Sequence, residues 1–66
     1  MDPIKAHELG VKPEEIRVTT EGGRYGNAWI LWVADEVRGK LILTQSHNIF
    51  ELIRWRVNHK ALCHGS

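Results

Sequence analysis

Nine Lys and Arg against eight Asp and Glu, 42 % hydrophobic residues, three Trp and one Cys in 66 residues set narrow bounds on the chain. Its apolar content argues against disorder, and a lone Cys63 excludes an intrachain disulfide framework. The longest apolar run, Ala28 to Ala34, is far too short for a membrane span, and no charged-then-apolar leader opens the sequence.

A chain of this size makes one domain, expected over residues 1–66, and buries only about 60 % of the surface it exposes when unfolded. A pocket for a small molecule typically occupies ~300–1,000 Å³, so a small-molecule substrate is not expected and outer surfaces are the working parts. Lack of disulfide staples points to a reducing, cytoplasmic setting. Charge is unevenly spread: residues 1–36 hold seven acids and four bases, whereas residues 37–66 hold one acid and five bases.

In chain order, Asp2-Pro3 and Gly10 bracket a short helix, with Asp2 as cap, Pro3 in the first helical position and Gly10 at the stop. Lys12-Pro13 breaks it. Glu15 to Thr20 alternates polar and apolar residues and predicts a first strand. Glu21 to Asn27 reads as a turn-rich connection. Ala28 to Ala34, aromatic and β-branched, predicts the second strand. Gly39 suits the left-handed position of a three-residue hairpin loop, and Lys40 to Gln45 returns as the third strand. Ser46-His47-Asn48 supplies capping groups for a helix from Ile49 to about Leu62. Ile49, Phe50, Ile53, Val57 and Ala61 gather on one side of it and predict its buried face. The fold class is therefore α+β: a short N-terminal helix, a three-stranded antiparallel sheet and a long C-terminal helix packed on one sheet face.

Strand alternation sends Trp29, Leu31 and Val33 to one face with Leu41 and Leu43, and Ile30, Trp32 and Ala34 to the other with Ile42 and Thr44. Both faces of the central hairpin are apolar, and one long helix covers only one. The second face is expected to be an interface, with a homodimer mate or a foreign protein. Trp55 lies opposite Ile53 and Val57, near Leu52 and Leu62, and is expected to point outward as an anchor. Trp32, Ile42, Trp55 and Leu62 are accordingly the expected protein-binding residues.

Chemical motifs are incomplete. His7-Glu8 resembles the start of a zinc-protease helix signature, but position 11, where the second His belongs, is Val11. His59 and Cys63 stand four apart with His64 next, a spacing that brings two ligands toward one metal, short of the four a structural zinc site wants. The same histidines flank Cys63 as a nucleophile without an orienting carboxylate or oxyanion donor. Gly22 to Gly26 joins two strands and lacks the Gly-Lys-Ser or Gly-Lys-Thr ending of a phosphate loop. No catalytic residue, cofactor or metal is assigned, and a non-enzymatic protein-binding module, regulator or inhibitor in kind, is the expected role.

The alternative is a nucleic-acid-binding domain using Arg24, Tyr25, Arg38, Lys40, Arg54, Arg56 and Lys60, through phosphate contact and stacking. From Arg17 to about Ala61, the order of three antiparallel strands and a helix is similar to small sheet-reading DNA-binding domains. These include the arm-binding domains of tyrosine recombinases and the plant ethylene-response-factor domain. That resemblance implies an exposed sheet face carrying Arg and other polar side chains into the major groove. The corresponding positions here are Trp29, Leu31 and Val33, or Ile30, Trp32 and Ala34.

Overall fold

A computed structural model of the chain describes residues 1–24 and 26–64. The order is α1 (Pro3–Glu8), a 3₁₀ turn (Pro13–Glu15), β1 (Arg17–Gly23), β2 (Gly26–Asp35), β3 (Gly39–Ser46) and α2 (Ile49–His64). The strands form one antiparallel sheet in the order β1-β2-β3, so the α+β arrangement expected from the sequence is present.

Local chemistry accounts for the ends of these elements. The Asp2 carboxylate accepts from the Lys5 N–H at 2.7 Å, and Pro3 occupies the first helical position of α1. At the β2–β3 hairpin, the Asp35 carboxylate accepts from the Val37 N–H at 2.8 Å, and Gly39 takes φ +80°, which only glycine adopts without strain. Before α2, Asn48 Oδ1 accepts from the Phe50 N–H at 3.0 Å. Ser46 Oγ accepts from the Asn48 N–H and donates to Glu51 Oε2 at 2.8 Å.

Two boundaries and one strand register differ from the sequence reading. Pro13 to Glu15 winds into a 3₁₀ turn, so β1 starts at Arg17 rather than Glu15. The connection expected over Glu21 to Asn27 is mostly ladder: Glu21 pairs with Ala28, Gly22 with Asn27 and Gly23 with Gly26. A register shift between Leu31 and Trp32 sets Thr44 opposite Leu31 while Ile42 pairs with Trp32, leaving Leu43 as the extra residue. Such a bulge places two residues of one strand against one of its partner, and it moves Thr44 out of alternation with Ile42.

The core lies between the sheet and the helices. Ala6, Val11, Leu31, Val33, Leu43, Leu52 and Trp55 form it, with Ile16, Trp29, Leu41 and Ile49 packed at its margin. α2 packs most heavily against α1, and also against β3, β2 and the 3₁₀ turn. Its inward residues are Leu52, Trp55 and His59. That is the reverse of the expected face: Phe50, Ile53, Val57 and Ala61 are exposed. The cause is Trp55. Its indole N–H donates to the Met1 carbonyl at 2.9 Å, so the N-terminal segment supplies the polar partner that a buried Trp requires. His59 stacks on it, ring centroids 5.3 Å apart.

Trp55→Ala is expected to cost about 3–5 kcal/mol, a large part of what so small a domain has. Trp55→Phe, which keeps most of the packing and loses the N–H, is expected to cost markedly less. Urea titrations of the two variants measure the difference.

Candidate interaction surface

The four expected contact residues do not share a surface. Trp55 is 8 % exposed and belongs to the core, which corrects its reading as an outward anchor. Trp32 and Ile42 sit side by side on the sheet face away from α2, as expected, with Ile42 exposed and Trp32 half-buried. Trp32 is not a bare apolar platform. The Arg17 guanidinium lies 5.6 Å and the Lys40 ammonium 4.8 Å from its ring centroid, covering it with charge. Its indole Nε1 is buried without a hydrogen-bond partner among the described residues. Leu62 is exposed on α2 near α1, where it borders a shallow hollow with Pro3, Ile4, Asn58 and Ala61.

The basic residues are also dispersed. Arg24 follows β1, Arg38 and Lys40 belong to the β2–β3 hairpin, and Arg54, Arg56 and Lys60 are exposed along α2. Tyr25 lies outside the described residues.

The structure brings forward a surface that the sequence reading assigned to the core. Phe50 is 73 %, Ile53 50 % and Val57 60 % exposed. At about 100° per residue, these three lie on the side of α2 opposite Leu52, Trp55 and His59. α2 thus carries two apolar stripes, one buried and one outward. A surface helix of a globular protein ordinarily shows one.

Beside the outward stripe runs a groove of about 540 Å³ between α2 and the 3₁₀ turn. Pro13, Ile16, Ile53 and Val57 give it apolar walls, and Arg56, Lys60 and His64 line it with basic groups, with Glu14 as the one carboxylate among the described residues. Ile16 is half-buried, and Val18, which shares the helix side of the sheet through its pairing with Leu31, is exposed.

A second cluster surrounds Cys63. Its half-buried Sγ lies 3.4 Å from His7 Nδ1 and 3.6 Å from His59 Nε2, and it faces the Val11 carbonyl at 3.9 Å. His59 is fully buried and its Nδ1 has no hydrogen-bond partner among the described residues. The contacts tie α1 to the C-terminal turns of α2. Among the described residues, no group of three or more His, Cys, Asp and Glu is placed to hold a metal ion. No helix among them is long and apolar enough to cross a membrane.

Comparison of the chain with protein-family models, curated proteins and solved structures finds no match. The functional reading rests on the surface itself.

If the outward stripe carries no folding load, Ile53→Gln with Val57→Gln changes unfolding free energy by less than about 1 kcal/mol in total. Leu52→Ala, one residue away on the other side, is expected to cost about 2–5 kcal/mol. Urea titration of the two proteins checks the contrast.

Proposed function

We propose that the chain is a non-enzymatic protein-binding module, a regulator or inhibitor in kind, that acts by occupying a partner's surface with the outward stripe of α2. The observation that supports this is the exposure of Phe50, Ile53 and Val57 together, at helical spacing, on a helix whose other side already fills the core. Contiguous exposed apolar side chains rimmed by charge are characteristic of contact surfaces. Exposing them continuously costs free energy that burial against a partner recovers, at roughly 25 cal/mol per Å² of apolar area. Ile42 and Leu62, exposed elsewhere, remain secondary contact points in this reading, and Trp55 drops out of it. A reducing, cytoplasmic compartment accords with the unpaired Cys63.

A nucleic-acid-binding role has one observation in its favour. The sheet face away from α2 presents Arg17 and Lys40 around Trp32, with Arg38 at the adjoining hairpin, a group of cations suited to phosphate contact.

A photo-activatable side chain placed at Phe50 in one variant and at Ile42 in another separates the two in an extract of the source cell. The protein-binding reading expects a discrete protein adduct from position 50 that survives nuclease. A nuclease-sensitive adduct from position 42, with none from position 50, would instead support the sheet face as a nucleic-acid surface.

A further inference from the structure

We propose that the segment received by α2 is an acidic amphipathic helix, laid along the outward stripe with its apolar residues entering the groove beside the 3₁₀ turn. The proposal rests on the protein-binding reading and adds the chemistry of the partner to it.

Charge supplies the argument. Arg54 lies on one flank of the stripe, and Arg56 and Lys60 lie on the other, all three exposed. Among the described residues, Glu14 is the only carboxylate lining the groove, and the Glu51 carboxylate of the first turn of α2 accepts from Ser46. An apolar floor between two cationic flanks is matched by a helix with apolar residues on one face and Glu or Asp on both sides of that face. Phe50 to Val57 spans about 10 Å, or two helical turns, at 1.5 Å per residue. The matching segment therefore offers apolar side chains at i, i+3 or i+4, and i+7.

The same charges argue against a second copy of this chain. Antiparallel pairing of two outward stripes, with Ile53 of each copy against Val57 of the other, brings like flanks together, Arg54 against Arg54 and Arg56 against Arg56. Parallel pairing brings the Arg54 flank of each copy against the Arg56 flank of the other. A flat anionic membrane is also a poorer match, because Ile53 and Val57 line a groove bounded by Pro13 and Glu14 rather than crowning a convex face.

The test uses fluorescently labelled synthetic helical peptides and the full chain. One peptide has Leu at helical spacing on one face with Glu on both flanks; its counterpart has every Glu replaced by Lys. The acidic peptide is expected to bind, more weakly as salt rises, and to lose about tenfold or more in affinity on Ile53→Asp. Charge reversal by Arg56→Glu with Lys60→Glu is expected to transfer binding to the Lys peptide. Far-UV circular dichroism verifies that the variants fold. Equal binding of both peptides, binding of neither, or preferential binding to phosphatidylserine vesicles would overturn the proposal. If neither peptide binds while position 50 still gives a protein adduct in the extract, the partner's chemistry is wrong and the docking reading stands.

Discussion

The indole of Trp55, enclosed by α1 and donating its N–H to the Met1 carbonyl, determines how the two helices and the sheet come together. A buried Trp removes a large apolar area from water and leaves one polar group to satisfy. Only a backbone carbonyl arriving from the N-terminal segment does so here. Once that bond is made, the rotation of α2 about its axis is set: Leu52 and His59 follow Trp55 inward, and Ala6 of α1 closes against them.

The outward stripe is a consequence of that rotation. α2 has apolar residues on two opposite sides, and α1 with the sheet encloses one of them. Phe50, Ile53 and Val57 are left in solvent beside a groove whose far wall is the 3₁₀ turn, and the cations that share α2 flank them on both sides. The surplus apolar surface expected on the sheet is instead on the helix. On the sheet face, Trp32 is covered by Arg17 and Lys40, while Ile30 is buried between its ladder partners Thr19 and Gln45.

Much of the architecture was legible because local chemistry decides it. Asp2-Pro3, the Gly39 turn, the Ser46 to Asn48 cap and the alternation through Trp29 to Ala34 each follow from one or two residues whose conformational preferences are strong. The orientation of α2 was not legible. Two apolar stripes give a helix two equally periodic faces, and the choice depends on a long-range partner, Met1, that periodicity does not see. His59 added to the difficulty, since a histidine counts as polar on a wheel yet here stacks on Trp55 in the core. The bulge at Leu43 was hidden for a related reason. Leu, Ile and Leu at 41 to 43 fit either face, so the register shift leaves no mark on the pattern. The candidate surface follows the same logic: Phe50, Ile53 and Val57 have the spacing of a buried face and lie on the exposed one.

The most direct measurement is the solvent accessibility of individual methyl groups by NMR, using a soluble paramagnetic agent. The account predicts strong attenuation of the Ile53 and Val57 methyl signals, with Leu52 and Leu43 protected. Protection of Ile53 and Val57 together with attenuation of Leu52 would place the other stripe of α2 in the core and contradict it.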